Sequence, residues 1–417
     1  MLRAVNRAVA RPSIALVLAL VAQASLAQSL YTLAPRVGVT LRGDNNLLLG
    51  SRDKIVTGGA DSAVSFDLNR QSSGWKSDLV PRVNLRRFVV DSGFDADEYG
   101  VNLYNDYTGE YLTAALDVGY SHDSTLITEA TDTGLTRDVI ARDGIDVSPS
   151  ITWLMNERWQ TQFSFNFNDT SYASTASGLL DYRYLLGSSQ VSYTYDDTTQ
   201  LFTTFFVSDF DVPSIGNHTR TYGLQAGMTK VLTPTIRVTG SAGYVISDID
   251  SIERSFALVN TPPPPHIVPV DKNITARSTG PIANFTVQKQ LALSSFAKFE
   301  YSRQLSPGGR GTQTISDRMA LRADLKLKQD WLLILMGSHD MRTSQGGLFA
   351  SDSDRDYTEL RGALRYEISR EWSTTGAYRF AFRQNTGLST DSASGHAVTL
   401  SIEYNGLPRA IPSLNGL

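Results

Sequence analysis

The chain has 417 residues, with 38 basic and 42 acidic side chains, five histidines and no cysteine. The lack of cysteine excludes a disulfide scaffold, a thiol nucleophile and a zinc-ribbon or iron–sulfur site, and five histidines supply metal chemistry poorly. A mean hydropathy of −0.19 excludes a bundle of membrane helices, yet Leu, Val, Phe and Tyr are spaced singly along the chain, as in a polypeptide with two faces.

At the N-terminus Arg3, Arg7 and Arg11 precede an apolar run over residues 14–22, and Ala24, Ser25, Leu26 and Ala27 place small residues where a signal peptidase reads. We expect residues 1–27 to be a secretory signal peptide removed after Ala27. The run is shorter than the roughly 20 residues a membrane-spanning helix needs.

From Leu33 onward the period is two. Val64, Phe66 and Leu68 alternate with Ser65, Asp67 and Asn69, and Leu112, Ala114, Leu116, Val118 and Tyr120 alternate with Thr113, Asp117 and Gly119. Phe163, Phe165 and Phe167 interleave with Gln162, Ser164, Asn166 and Asn168. Later, Met319, Leu321, Ala323, Leu325 and Leu327 interleave with Arg318, Arg322, Asp324 and Lys326, and Leu360, Leu364, Tyr366 and Ile368 with Glu359, Arg361, Arg365 and Glu367. Charge on every second residue rules out a sandwich core. The segments also run to about ten residues, longer than sandwich strands and close to the 9 to 11 of a tilted membrane crossing.

Short turn signals fall at 71–74, 108–109, 156–157, 196–199, 233–234, 288–290, 329–330 and 369–370. Longer polar stretches lie between them, at 42–59, 91–96, 121–142, 169–180, 209–217, 248–273, 304–313, 342–356 and 384–394. This rhythm predicts an all-β fold: a transmembrane, antiparallel up-and-down β-barrel of about eighteen strands over residues 28–404, with both termini periplasmic. Residues 405–417, with Pro408 and Pro412, are expected to be a short, flexible periplasmic tail. The first segment, 33–41, is expected to meet the last, 398–404.

Trp75, Trp153, Trp159, Trp331 and Trp372 all fall beside short turns and are predicted interface aromatics. Residues 331–337 break the alternation with two apolar faces, which leaves a lumenal plug, a partner or an irregular strand as the explanation. The run Pro262 to Pro265 stiffens the longest expected loop.

With the polar face inward, the lumen receives Arg36, Arg82, Arg86, Arg237, Lys298, Arg318, Arg322, Lys326, Arg361, Arg365, Arg379 and Arg383, against Asp67, Asp117, Glu300, Asp324, Glu359, Glu367 and Glu403. A focused positive potential would favour anionic polysaccharide or small anionic solutes. The competing explanation is pairing across neighbouring strands that stabilises the wall. No nucleophile elbow, zincin motif or phosphate loop occurs, so neither catalysis nor a cofactor is expected, and nucleic acid is not an expected partner. The histidines, His122, His218, His266, His339 and His396, lie near strand ends or loops and read as solvated groups. The barrel pattern starts too close to the cleavage site to leave room for a plug domain, which argues against siderophore uptake.

The opening Leu33-Ala34-Pro35-Arg36-Val37 leading to Gly43-Asp44-Asn45-Asn46, and above all the run Tyr301-Ser302-Arg303-Gln304-Leu305-Ser306-Pro307-Gly308-Gly309-Arg310-Gly311-Thr312, resemble the β-barrel porin family found beside exopolysaccharide export genes. The resemblance spans the mature chain with loose motifs. It implies an outer-membrane protein of a Gram-negative bacterium that passes or anchors secreted polysaccharide, and it carries no catalytic residues. The chain departs from the usual barrel in ending its last strand at Tyr404 rather than on a terminal aromatic that the barrel assembly machinery reads. The expected partners are that machinery, outer-membrane lipid and lipopolysaccharide. The expected function is a passive channel or conduit with a part in exopolysaccharide secretion. The alternative is a non-conducting structural or adhesive barrel whose loops bind polysaccharide. A third class, an outer-membrane enzyme, requires a His–Ser or His–Asp pair at hydrogen-bond distance near the outer rim.

Overall fold

The computed structural model describes residues 29–90, 92–126, 139–174, 179–259, 266–307, 313–345, 354–385 and 391–411. The expected signal peptide and the Pro262 to Pro265 run lie outside the described residues. The strands are β1 (Leu30–Asp44), β2 (Thr57–Ser72), β3 (Trp75–Phe88), β4 (Ala96–Thr108), β5 (Leu112–Ser124), β6 (Ala141–Leu154), β7 (Trp159–Tyr172), β8 (Tyr182–Asp196), β9 (Thr199–Val212), β10 (Asn217–Thr233), β11 (Ile236–Val259), β12 (His266–Ala292), β13 (Ser295–Pro307), β14 (Gln313–Lys328), β15 (Trp331–Gln345), β16 (Arg355–Glu367), β17 (Trp372–Asn385) and β18 (Ser392–Asn405), followed by the two-residue β19 (Arg409–Ala410). No helix among the described residues is long and apolar enough to cross a membrane.

Each strand from β1 to β17 pairs antiparallel with the next, and β18 returns to β1 through the register Arg36↔Asn405 to Asp44↔Ala397. The chain is therefore a closed, antiparallel, up-and-down transmembrane barrel of eighteen strands, and closure pairs the strand edges an open sheet would leave bare. Directly opposed residues point to the same face. Val37, Val64, Val83, Tyr99 and His122 thus form one outward row across β1 to β5, while Thr40, Asp61 and Arg86 form an inward one. The outward rows hold most of the exposed large apolar side chains, such as Val39, Leu41, Phe163, Phe205, Leu321 and Leu400.

Three differences from the sequence reading concern where strands stop. Residues 248–273 read as the longest loop, yet β11 and β12 run through them as a hairpin paired from Ile236↔Lys289 to Val259↔His266. The stretch expected as loop at 209–217 shrinks to a tight connection between Val212 and Asn217, turned by Gly216 at φ +64°. The turn expected at 288–290 lies instead between Ala292 and Ser295.

On β12 the pairing with β13 begins only at Ala283↔Arg303, two residues after Pro281. The Pro281 carbonyl faces β13 and accepts a hydrogen bond from Arg303 Nε at 3.1 Å, so the N–H that proline lacks would have faced the same neighbour.

The tail also differs from the flexible segment expected. After Asn405 the chain continues alongside the start of β1, with Leu33↔Arg409 and Thr32↔Ala410 in register. Gly406 N donates to Pro35 O at 2.8 Å, and Ile411 N to Tyr31 O at 3.0 Å. Residues 412–417 lie outside the described residues.

Candidate functional site

The barrel lumen is the candidate site, and cross-strand register decides what lines it. All twelve basic residues singled out above stand on the inner face. Seven have carboxylate partners. Arg36 pairs with Asp67, Lys298 with Glu300, Arg322 with Asp324, Lys326 with Glu367, Arg379 with Asp44 and Arg383 with Asp391, and Arg86 reaches two acids. Arg82, Arg237, Arg318, Arg361 and Arg365 form no ion pair among the described residues, and Arg365 Nε is buried without a hydrogen-bond partner.

The sequence reading missed acids that stood at strand ends or inside expected loops. The register adds Asp44, Asp61, Asp78, Glu98, Asp123 and Asp340 to the inner face, alongside Arg42, Arg142, Arg342 and Arg355. The positive excess in the lumen is smaller than the first set implies. Arg86 sits at the centre of the densest group. Its Nε donates to Asp61 Oδ1 at 2.8 Å, its Nη1 lies 3.6 Å from Glu98 Oε1, and Arg42 Nη2 lies 3.9 Å from Asp61 Oδ2. Nearby a recess of about 690 Å³ opens along the inner wall of β1 to β5, lined by Arg36, Thr40, Asp61, Arg82, Glu98 and Asp123.

The break in alternation at 331–337 resolves into a lumenal feature. Leu332, Ile334 and Met336 of β15 face inward between Lys326, Asp324 and Arg322 of β14 and Arg365, Ala363 and Arg361 of β16. An apolar stripe on the inner wall is thus flanked by the aliphatic stems of long cationic side chains.

At the long-loop end, connections fold against one another. Leu47, Phe88 and Leu126 form one buried cluster with Ile55, Phe94 and Val139, and Ile140 joins Tyr172, Leu179, Tyr182, Phe210 and Val212 in a second. Residues 139 and 140 link the two. Asn46, almost fully buried, donates through Nδ2 to Gly50 O and to Ser394 O, and so ties the β1–β2 loop across the seam to the β17–β18 hairpin.

All five tryptophans point outward at the short-turn end and are exposed. Four face a tyrosine on the next strand in register, with ring centroids 4.8 Å apart for Trp75–Tyr107, 4.8 Å for Trp159–Tyr193, 4.7 Å for Trp331–Tyr366 and 5.1 Å for Trp372–Tyr404. Trp153 faces Leu112. The opposite rim carries polar outward pairs, including Arg183–Asp169, Arg277–Asp248 and Arg303–Asp317.

Four histidines lie on that outer rim. His122 Nδ1 and His218 Nε2 are each 2.9 Å from a carboxylate, of Asp143 and Asp209 respectively, which meets the geometric condition set for an enzyme. His339 Nδ1 lies 2.9 Å from Thr358 Oγ1, and His396 Nδ1 2.7 Å from the Tyr378 hydroxyl. Among the described residues no one ring holds both a carboxylate and a serine or threonine hydroxyl, the arrangement a base–nucleophile relay for acyl transfer uses. Asp143 also accepts from Tyr120, and Asp209 from Arg220, which occupies both carboxylates with outward-facing neighbours. His266 belongs to β12, and its side chain lies outside the described set.

No protein-family model matches the chain, and no curated protein matches it significantly. Among solved structures it is similar to OpdL of Pseudomonas aeruginosa, with 11% identity, a TM-score of 0.43 and coverage of 91% of this chain and 99% of that one. It is similar to OccK8 (OprE) of the same species at 9% identity and TM-score 0.44, covering 91% and 98%. It is also similar to OmpT, an outer membrane protein of Vibrio cholerae, at 12% identity and TM-score 0.39, covering 92% and 99%.

Proposed function

We propose that the chain is a passive conduit in the outer membrane of a Gram-negative bacterium, exported with a cleaved signal peptide and open to hydrophilic solutes. The observation that carries this reading is the hydrophilic inner wall of a closed eighteen-stranded barrel, a strand number at which barrels leave an aqueous channel rather than filling with side chains. The outward tryptophans sit where interface anchors belong, toward the periplasmic leaflet. Reconstitution in planar bilayers tests the proposal: stepwise conductance is expected, and its absence at all voltages refutes it.

The five inward arginines without ion pairs favour anions over cations in that conduit. Reversal potential in a salt gradient measures this, and Arg361→Gln/Arg365→Gln is expected to lower the preference. A part in exopolysaccharide secretion rests on the family resemblance; deleting the gene is expected to reduce secreted polymer, and unchanged secretion removes that role. A second reading, a closed structural or adhesive barrel, is favoured by the two apolar clusters that pack the loops at the outer mouth. It predicts no conductance together with polysaccharide binding to intact cells.

A further inference from the structure

Charged side chains are not spread evenly round the inner wall. Among the described residues, β7, β8, β9 and β10 between their turns, 236–251 of β11 and 274–290 of β12 turn one charged side chain inward, Arg237. The remaining wall, from β13 through β18 to β6, holds the inward ion pairs. One third of the circumference therefore carries a single charge, Arg237 near the short-turn end, is otherwise neutral, and faces an ionic wall.

Within the neutral strip, Gln162, Gln190, Thr204 and Gln225 oppose one another at a single level across β7, β8, β9 and β10. Thr204 Oγ1 donates to Gln190 Oε1 at 3.1 Å, while the amides of Gln162 and Gln225 at the two ends make no hydrogen bond among the described residues. On β9 this row is bracketed by Phe202 and Phe206, about 13 Å apart along the strand. Their rings lean over Gly227 and Gly223 of β10, where an added Cβ would come within 2.4 Å and 2.1 Å of ring carbon. Glycine at those two positions gives each ring the space a side chain would fill. Both rings are half-buried, so each keeps a face toward the lumen.

Ring faces alternating with amides on an uncharged surface match one solute chemistry. A sugar offers an apolar C–H face to stack and hydroxyls on its edge to bond, and it has no charge for the ionic wall to hold. The geometry points to a binding strip for an uncharged linear saccharide on the inner wall of β7 to β10. Phe202 and Phe206 are its stacking platforms, and Gln162 and Gln225 its hydroxyl partners. The inference rests on the open conduit proposed above and adds the substrate class.

The full chain in planar bilayers, titrated with a linear neutral glucose hexamer and with a hexagalacturonate, tests it. Both hexamers are expected to interrupt the current, the neutral one at the strip and the anionic one at the inward arginines without ion pairs. Phe202→Ala/Phe206→Ala is expected to raise the half-blocking concentration about tenfold, as for two lost ring contacts. No block by the neutral hexamer, a half-blocking concentration for it that is unaltered in the variant, or an equal shift for hexagalacturonate overturns the saccharide strip. Should the double variant fail to fold, Gln225→Leu is read in the same titration, with weaker block expected and unchanged block contrary to the inference. A parent barrel without current refutes the conduit rather than the strip. Calorimetric titration of the detergent-solubilised barrel then decides: heat of binding for the neutral hexamer that the variant loses upholds the strip, and no heat refutes it.

Discussion

Replacing Arg86 by leucine tests whether the inner wall is held by its charges. The guanidinium is almost fully buried, and Asp61 and Glu98, its two partners, keep only 16% and 11% of their side-chain surface exposed. Removing the cation leaves two carboxylates facing each other with little water to screen them, and breaking a buried pair from one side costs about 3 to 5 kcal/mol. Arg42, 3.9 Å from Asp61, offsets part of the loss and places the expected value near the lower end of that range, about 3 kcal/mol. Equilibrium urea unfolding in lipid vesicles, followed by tryptophan fluorescence, reads the change. Adding Asp61→Asn and Glu98→Gln to Arg86→Leu is expected to recover most of it, because the penalty belongs to the stranded carboxylates. A single variant within 1 kcal/mol of the parent would show that these groups are solvated through the lumen, and the account of a tightly paired inner wall would fail.

Two further outcomes follow from the rims. Trp75→Ala, Trp159→Ala, Trp331→Ala and Trp372→Ala are each expected to lower unfolding stability in vesicles by about 1 kcal/mol through loss of the in-register tyrosine stack, and Trp153→Ala, which faces Leu112, by less. Equal losses at all five would assign the effect to lipid contact alone. At the outer mouth the Ser51 hydroxyl, helped by Arg383 and Asn385, holds the Asp391 carboxyl below its ordinary range. A lowered folded-state pKa gives stabilisation that is complete above the ordinary carboxylate range and is lost as pH falls through the depressed value. Proteolysis of residues 45–56 is therefore expected to quicken in the parent only as pH falls below the ordinary carboxylate range. In Asp391→Asn it should already be fast at neutral pH, and identical pH profiles would contradict the clamp.

Strand number, the meeting of first and last strands and the position of every tryptophan were legible in the sequence, because a wall wetted on one side only must alternate over a membrane's thickness. What escaped were features with no periodic signal. The β11–β12 hairpin carries Asp248, Asp250, Asn273 and Thr275 where alternation stops, and its pairing depends on a partner strand rather than on one apolar face. The acids Asp44, Asp61 and Glu98 stand where strands run into expected loops, so a count along the chain placed them outside the lumen. The row Gln162, Gln190, Thr204 and Gln225 and the Phe–Gly contacts beside it exist only once four registers are known.

Closure itself is open to direct measurement, since the chain has no cysteine of its own. Val39 and Ile402 oppose each other across the β1–β18 seam, while Val39 and Leu400 are offset. In the folded, membrane-inserted protein, Val39→Cys/Ile402→Cys is expected to oxidise to an intramolecular disulfide that keeps the denatured chain circular on a gel, and Val39→Cys/Leu400→Cys to oxidise far more slowly. Free thiols in the first variant, or cross-linking only between separate chains, would mean that the two ends of the sheet do not meet.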